Sequence, residues 1–413
     1  MSATPKDKPS PRGADPDTNG APVTPPVLPE DLLGAERSAV SAHDSGLPGS
    51  SLHMPSDEAA PSADRPSTLA DTDPTLGYLT FDLAEAVMVL SHFDLGAVQA
   101  VREFRRGSRH APKLLIKCEK GAFVLKRRAH GRDDPVKVSF THSIQRHLAK
   151  AGYPLARLAL TRGGHESMLS IGGRIYELFE YIAGQPYDQS LHATFEAGQA
   201  LAMFHRILAG VTPEWEPPSG SFHRSPHVPA NLNFIPHRIQ DDTLDPIIAA
   251  LREFYQEAGA AADALGLQQW PRQITHGDWH PGNMLFRNSK VVAVIDYDTA
   301  RILPRALDIA NGALQFSITR MGDNPDLWPA EPDESRFKRF LRGYDSMAQT
   351  VVSTAELEAV PWLMIEAMIA EAAVPIAATG RFGRIDARGF LRMVLRKVRW
   401  LHGNRDRMAR LVS

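Results

Sequence analysis

The folded part of the chain begins with a short amphipathic helix and three segments in which hydrophobic and polar positions alternate. In FDLAEAVMVLSHF, which begins at Phe81, apolar residues recur at helical spacing, and this pattern predicts a helix with one buried face. Alternation with a period of two runs through AVQAVREF, KLLIKCE and AFVLKRR, which predicts three strands. The connecting segments RRGSRHAP and KG fit hairpin turns, so the sequence predicts a small antiparallel sheet.

Helical patterns dominate the rest of the chain. VKVSFTHSIQRHLAKAG and ATFEAGQALAMFHRIL carry apolar residues at helical spacing, and two strand patterns, SMLSIGG and RIYELFEYI, lie between them. Farther along, two apolar runs separated by a polar turn, NMLFRN and VVAVIDYD, predict another hairpin. The sequence therefore predicts an α+β fold with an antiparallel sheet first and mainly helices after it.

Residues 1–75 differ in composition from the rest of the chain. They are rich in Pro, Ser, Asp, Ala and Gly, contain few large apolar residues and show no sustained periodicity. Burial of so little apolar surface cannot offset the conformational entropy lost on ordering the segment. The sequence predicts a disordered tail, either a plain solvated extension or a partner-binding arm.

Charge and cysteine content narrow the choice of partners and compartment. The formal net charge is −2, so no overall field attracts nucleic acid or an acidic membrane. Cys118 is the single cysteine, which excludes an internal disulfide and favours the cytoplasm. The most apolar late stretch is interrupted by Glu366, Glu371 and Pro375. We therefore expect no membrane span and no nucleic-acid partner.

The stretch THGDWHPGNMLFRNSKVVAVIDYD carries the candidate chemistry. Asp278 precedes Asn283 by five positions in a Pro/Gly loop, and Asp296 ends the apolar run after the hairpin. Phosphoryl transfer uses oxygen ligands that hold Mg²⁺ against phosphates and a carboxylate that orients the attacking hydroxyl. Asp278 suits the base, and Asn283 and Asp296 suit the metal. Taken singly, such residues in loops more often cap or turn the backbone.

Several motifs together resemble one known family. HGDWHPGN, VIDYD and LDIA resemble the aminoglycoside phosphotransferase and choline kinase-like superfamily. The resemblance extends from about Leu76 to the C-terminus, because LKRR looks like the phosphate-anchoring lysine, ELFEYIAG like the hinge and GQALAMFHRI like the first helix of the large lobe. It implies a bilobal, protein-kinase-like fold, with a nucleotide-binding lobe at residues 76–183 and a catalytic and acceptor-binding lobe at residues 184–413. Homoserine-kinase-like and spore-coat-kinase-like branches both look similar.

The resemblance also implies roles for individual residues. Asp278 would be the catalytic base, Asn283 and Asp296 would bind Mg²⁺, and Lys126 would hold the α- and β-phosphates of ATP. The hinge backbone would receive adenine, and its residues include Glu177, Phe179 and Tyr181. The first hairpin loop would lie over the nucleotide phosphates or would be only a turn, and its residues are Arg106, Gly107 and Ser108.

Other polar residues near the motifs are expected to support the loop. His276 and His280 lie four apart without a helix to align them, so bracing of the catalytic loop is favoured over zinc binding. The resemblance gives Asp308 a similar bracing role through hydrogen bonds. Asp298 can either assist the metal or satisfy a turn.

One feature departs from the kinase pattern. Kinase-like folds pair the anchoring lysine with a glutamate on the following helix, but residues 135–152 contain no carboxylate, and His142 or Gln145 occupies that position. A neutral partner supplies a hydrogen bond and no ion pair. The sequence therefore leaves two outcomes open: phosphate anchoring that differs from the family's, or reduced activity.

These patterns favour an ATP-dependent O-phosphotransferase acting on a small-molecule hydroxyl acceptor. A nucleotide-binding pseudokinase or scaffold is the alternative, because of the missing helix glutamate. The sequence lacks the phosphate-loop and dinucleotide-binding glycine motifs. The acceptor stays open: Glu366 and Glu371 could face a cation or be paired, and a late arginine stripe at helical spacing would favour an anionic or zwitterionic acceptor if it borders the cleft. Its residues are Arg388, Arg392, Arg396 and Arg399.

Overall fold

The computed structural model describes residues 79–104, 110–349 and 351–411. The predicted tail, residues 1–75, lies outside these residues, as do Arg106, Gly107 and Ser108 of the first hairpin loop.

The first part of the described chain is an antiparallel sheet with one helix before it and one helix inserted. Its elements are α1 (Leu83–Leu90), β1 (Val98–Glu103), β2 (Lys113–Cys118), β3 (Gly121–Arg127), α2 (Pro135–Lys150), β4 (Leu169–Ile171) and β5 (Arg174–Glu180). The strands lie in the order β1-β2-β3-β5-β4, and all neighbours are antiparallel. Its core of mainly apolar side chains packs under α1, with Phe93, Ile116 and Leu125 fully buried.

The second part is mainly helical. Its helices are α3 (Leu191–Leu208), α4 (His227–Ile239), α5 (Asp245–Ala264), α6 (Ala306–Ser317), α7 (Glu334–Met347), α8 (Thr354–Thr379) and α9 (Ala387–Arg410). Its strands are β6 (Arg272–Thr275), β7 (Met284–Arg287), β8 (Lys290–Val294), β9 (Arg301–Pro304), β10 (Arg381–Phe382) and β11 (Ile385–Asp386). This arrangement confirms the predicted α+β fold and the hairpin β7-β8.

The sequence pattern missed the pairing of β6 with β9. Each of these strands has four residues, which is too short for a clear alternation of apolar and polar positions. Their ladder joins Thr275 to Arg301, and it therefore fixes the two ends of the stretch that contains the catalytic motifs.

Helix α8 lies in the middle of the larger core. By length and composition it could cross a membrane, but 89% of its apolar stretch is buried inside the protein. One such helix is weak evidence for a membrane span, since the core helix of a globular domain has the same composition. Neighbouring helices α5, α6 and α9 pack against it, so its apolar surface is used in protein packing.

Helices α3 and α7 approach each other closely through two glycines. A Cβ atom at Gly198 would lie 2.1 Å from the Phe340 carbonyl oxygen, and one at Gly343 would lie 2.1 Å from the Phe195 carbonyl oxygen. Backbone cannot move aside as the end of a flexible side chain can, so any larger residue separates the helices. This contact holds α3, which carries His205, against the rest of the lobe.

We predict that Gly198→Ala lowers the free energy of unfolding by about 1 to 3 kcal/mol, because the added methyl group overpacks the helix contact. Gly403→Ala is the matched control, since Gly403 is exposed on α9 with open space around it; it should be neutral or stabilising by about 0.5 to 1 kcal/mol. Denaturant unfolding measures both. Equal stability of Gly198→Ala and the unmodified protein would contradict the packing described.

Candidate active site

The carboxylate of Asp308 fixes the start of the catalytic loop. It lies in the first turn of α6, is 1% exposed, and accepts hydrogen bonds from the backbone N–H groups of His276 (2.6 Å) and Gly277 (2.8 Å). His205 Nε2 lies 3.1 Å from the same carboxylate, and its Nδ1 lies 2.9 Å from the Tyr344 hydroxyl. Burial alone would raise the pKa of Asp308, but His205 and the loop donors lower it, so the group stays charged.

Gly277 allows the loop to turn at this point. Its φ is +78°, and a Cβ atom there would lie 2.3 Å from the Thr299 carbonyl oxygen. Thr299 in turn donates a hydrogen bond from its hydroxyl to the His276 carbonyl oxygen, at 2.9 Å. The loop is thus packed directly on the segment that follows Asp296, and only glycine fits the turn.

Asp278, His280 and Asn283 contact one another within the loop. Asn283 Nδ2 donates to Asp278 Oδ2 at 3.0 Å. His280 accepts the Gly282 N–H at its Nδ1 (3.0 Å), which leaves its Nε2 as the protonated nitrogen, 3.5 Å from Asp278 Oδ2. Burial by itself would raise the pKa of Asp278, but the neighbouring His280 and His276 and the hydrogen bond from Asn283 lower it to about 2.

The histidines of the loop occupy bracing positions. His276 Nε2 lies 3.3 Å from the Ile295 carbonyl oxygen, and burial lowers its pKa more than the nearby carboxylates raise it. For His280, burial would also lower the pKa, but the charge of Asp278 outweighs this effect and raises it. Asp278 therefore favours a proton on His280 Nε2, the nitrogen that faces it.

Asp296 joins this group through the backbone. The Ile295 N–H donates to the Asn283 carbonyl oxygen at 2.9 Å, so Asp296 follows directly after a contact with the loop. Its φ of +63° is a left-handed conformation that costs a non-glycine residue free energy and is common at functional sites. Its charge acts both on His280 and on Lys126 of the sheet. Asn283 thus contacts Asp278 through its side chain and the residue before Asp296 through its backbone, and the charge of Asp296 links this group to the lysine of the sheet.

Lys126 has carboxylate partners that do not come from helix α2. Its Nζ lies 3.5 Å from Glu177 Oε2 and 3.6 Å from Asp298 Oδ2. Arg128 bridges the same two carboxylates, at 3.0 Å from Glu177 and 2.5 Å from Asp298. His142, one of the two residues, with Gln145, expected where the kinase pattern has glutamate, lies 2.7 Å from Glu177 Oε1. Strand β5 therefore supplies the carboxylate that the helix lacks.

Glu177 is ionised in spite of its burial. It is 1% exposed, and burial would raise its pKa, but the charges of Arg128 and Lys126 hold the pKa well below its usual range. Asp298, for which the sequence left metal and turn roles open, is likewise held at a pKa of about 2: burial would raise it, but Arg128 and Lys126 lower it. The sequence did not single out Arg128, although it lies only two residues after Lys126, directly after the end of β3.

The residues assigned to the hinge lie along and just after β5. Glu177 is paired with Lys126 in the strand ladder and turns its carboxylate toward the ion pairs. Phe179 is half-buried farther along the strand. Tyr181 is 38% exposed, and its N–H donates to the Ala122 carbonyl oxygen at 2.9 Å. Adenine binding at this backbone stays a prediction.

A half-buried polar pair borders the loop on the side of the C-terminal helices. Gln315 of α6 donates to Glu371 of α8 at 2.5 Å. Burial and the neighbouring charge of Asp278 raise the pKa of Glu371 to about 7, while His280 and Arg320 act in the opposite direction. The pair therefore lies within electrostatic reach of Asp278, on the side where the sequence predicts the acceptor pocket.

Glu366 has a different role on the same helix. It is fully buried, lies 2.6 Å from His223 Nδ1 and accepts the Arg224 N–H at 2.9 Å. It thus anchors the Pro-rich segment 213–234, and Arg301 holds the same segment through a hydrogen bond of 2.9 Å to the Gly220 carbonyl oxygen. These hydrogen bonds hold segment 213–234 in place next to the catalytic loop.

The arginine stripe of α9 is paired with carboxylates. Arg388 lies 2.5 Å from Asp241, Arg392 lies 2.6 Å from Asp326, and Arg396 lies 3.5 Å from the same aspartate. These contacts connect α9 to neighbouring loops, so the first three arginines have a structural explanation.

Comparison with known proteins agrees with this fold. Homoserine kinase of Phenylobacterium zucineum (strain HLK1) is 26% identical over 232 residues, which span 55% of this chain and 67% of that enzyme. Amicoumacin kinase hAmiN, solved with AMP-PNP, Ca²⁺ and Ami, has a TM-score of 0.55 at 13% identity and covers 80% of this chain and 94% of its own. The microcompartment-associated aminopropanol kinase has a TM-score of 0.59 at 13% identity, with 79% and 99% covered. These likenesses confirm the predicted kinase-like fold.

The family comparison covers the catalytic loop, the sheet and the ion pairs described above. Residues 100–352 match the model of the phosphotransferase enzyme family, APH. Since this match spans well over half of the chain and includes Lys126, Asp278, Asn283 and Asp296, the protein belongs to the phosphotransferase enzyme family.

Proposed function

We propose that the protein transfers the γ-phosphoryl group of ATP to the hydroxyl group of a small molecule, with Mg²⁺ and with Asp278 as the base. The observation that supports this most directly is the contact between Asp278 and Asn283, together with the backbone contact that brings the segment of Asp296 to Asn283 and the action of the Asp296 charge on Lys126. The amicoumacin kinase structure, which contains AMP-PNP and Ca²⁺, supports the choice of nucleotide and of a divalent ion.

Asp278 acts mainly by orientation in this proposal. A carboxylate with a pKa of about 2 is far too weak a base to remove a proton from an alcohol in the ground state. In a loose transition state the hydroxyl proton is lost late, so the carboxylate first aligns the oxygen and then accepts the proton. Its low pKa keeps it ionised for this purpose.

The donor set fits magnesium. Asn283 offers an amide oxygen and Asp296 a carboxylate, and a hard cation prefers such ligands while keeping part of its water. A bound Mg²⁺ would neutralise phosphate charge during transfer. The left-handed backbone of Asp296 is consistent with a side chain held where a ligand needs it.

Lys126 would hold the α- and β-phosphates, with Glu177 and Asp298 fixing its direction. These carboxylates lie at 3.5 and 3.6 Å from its ammonium group, so it retains its charge next to Arg128.

We also propose a boundary between the two lobes near residue 183. We further propose that the reaction takes place in the cytoplasm, which the single cysteine, Cys118, supports.

For the acceptor we propose an alcohol that also carries an ammonium group. Glu371, held by Gln315, would bind the cation while the hydroxyl approaches Asp278. The names of two relatives point the same way, because homoserine and aminopropanol both combine an amine with a hydroxyl. The arginines of α9 do not argue against a cationic acceptor, since Arg388, Arg392 and Arg396 are paired.

We predict that Asp278→Asn reduces turnover by a factor on the order of 10² to 10⁴, because it removes the proton acceptor, and leaves ATP affinity nearly unchanged. ADP release with an amino-alcohol acceptor measures turnover, and calorimetry measures binding. Asp406→Asn, at an exposed position of α9, is the control. Unreduced turnover in Asp278→Asn would exclude the proposed base, and ATP binding without turnover in the unmodified protein would favour a scaffold.

We predict that Glu177→Gln weakens ATP binding and lowers the free energy of unfolding by about 3 to 5 kcal/mol, because it removes the buried one of the two carboxylates that pair with Lys126 and Arg128. Glu180→Gln, at an exposed position of the same strand, should change neither quantity. Denaturant unfolding and ATP titration measure the two effects. A Glu177→Gln protein with unchanged ATP affinity would show that the strand glutamate does not position Lys126.

We predict that Glu371→Gln raises KM for an amino-alcohol acceptor about tenfold or more, because a charge-assisted hydrogen bond is lost, while KM for ATP stays constant. In the unmodified protein, KM for the acceptor should fall as pH rises through about 7, where Glu371 loses its proton, and the variant should lack this change. Glu358→Gln, exposed on the same helix, is the control. The same pH profile in Glu371→Gln would contradict the assignment.

A further inference from the structure

A second lysine shares the face of the sheet that carries Lys126. In the ladder between β2 and β3, Lys113 is directly opposite Lys126, and in the ladder between β3 and β5, Lys126 is directly opposite Glu177. Directly opposite residues of antiparallel strands point to the same face, with Cβ atoms about 5 Å apart. Lys113, Lys126 and Glu177 therefore form one row across three strands.

The surroundings of Lys113 are those of the candidate active site. Its side chain is half-buried, and its Nζ donates to the Ala111 carbonyl oxygen at 3.3 Å. The charges that act on it are those of Lys126, Asp296, Asp298 and Glu177. These groups belong to the proposed metal and phosphate site, so Lys113 extends that site by one strand.

The charge of Lys113 destabilises the folded protein when no ligand is bound. Like charges directly opposite each other in a sheet are destabilising, and burial together with Lys126 lowers the pKa of Lys113 to about 8. The group is still mostly protonated at neutral pH. A multiply charged anion bound next to this face of the sheet would attract both lysines and so offset the repulsion between them.

We propose that Lys113 is a second phosphate-binding cation, which contacts the phosphate chain of a nucleoside di- or triphosphate together with Lys126. The inference rests on the proposed function, because it takes the anion to be the nucleotide of that reaction. Lys113 opens β2, directly after the first hairpin loop, and β2 lies one strand farther from β5 than β3 does. It would thus bind phosphate at the end of the site away from the predicted hinge.

The test compares nucleotides that differ in phosphate number. Lys113→Gln in the full chain should bind ATP and ADP about 10- to 100-fold more weakly than the unmodified protein, since one charge-assisted contact is lost, while adenosine affinity stays the same. Lys113→Arg should retain most of the affinity for ATP. Lys117→Gln is the matched control, because Lys117 is exposed on the same strand and the same face, and it should bind all three ligands normally.

The possible results separate this inference from the proposed function. Unchanged ATP affinity in Lys113→Gln overturns the inference, and so does an equal loss for adenosine and ATP, which would indicate general damage to the sheet. If the unmodified protein binds no ATP, both proposals fail. If Lys113→Gln shows the expected phosphate-dependent loss but no acceptor is phosphorylated, the second cation stands and the transfer reaction is overturned.

Discussion

The candidate site depends on one buried carboxylate that binds the backbone at the start of the catalytic loop. Asp308 accepts the N–H groups of His276 and Gly277, and His205 keeps it ionised and oriented. An ionised group in the core is tolerated only when its hydrogen bonds are complete. These hydrogen bonds hold the loop at the two residues directly before Asp278. The side chains of Asp278 and Asn283 therefore lose little conformational entropy when a substrate binds.

The sheet presents a second set of charges to that loop. Lys126 and Arg128 share the carboxylates Glu177 and Asp298, and Asp298 follows Asp296 by two residues. The segment after β8 therefore contacts both the loop and the sheet. Asp296 follows the backbone contact with the loop, and Asp298 forms ion pairs with Lys126 and Arg128. A lysine oriented by strand and loop carboxylates can do what a helix glutamate does elsewhere, since position and charge matter and not the element that supplies them. The absence of a carboxylate from residues 135–152 then gives no reason to expect an inactive protein.

The sequence predicted features that lie within one short stretch of chain, such as single helices, strands and motifs. It predicted poorly which side chains of different strands and helices contact each other. Periodicity gave the helices and the strands of the sheet, and the motif spacing gave the loop residues, because both signals lie in short stretches of chain. The partner of Lys126 could not be found this way: Glu177 reaches it through strand register, which alternation alone does not fix. The pairing of β6 with β9 was missed because strands of four residues show no clear alternation. Glu371 was singled out, but its link to Gln315 depends on how two distant helices pack.

If these side chains catalyse phosphoryl transfer to a small-molecule alcohol, ³¹P NMR can follow the reaction in the unmodified protein with ATP, Mg²⁺ and a set of amino alcohols. We expect a phosphomonoester signal that grows in step with ADP and disappears when the divalent ion is chelated. Formation of inorganic phosphate alone, or unchanged ATP with every acceptor in the set, would contradict it.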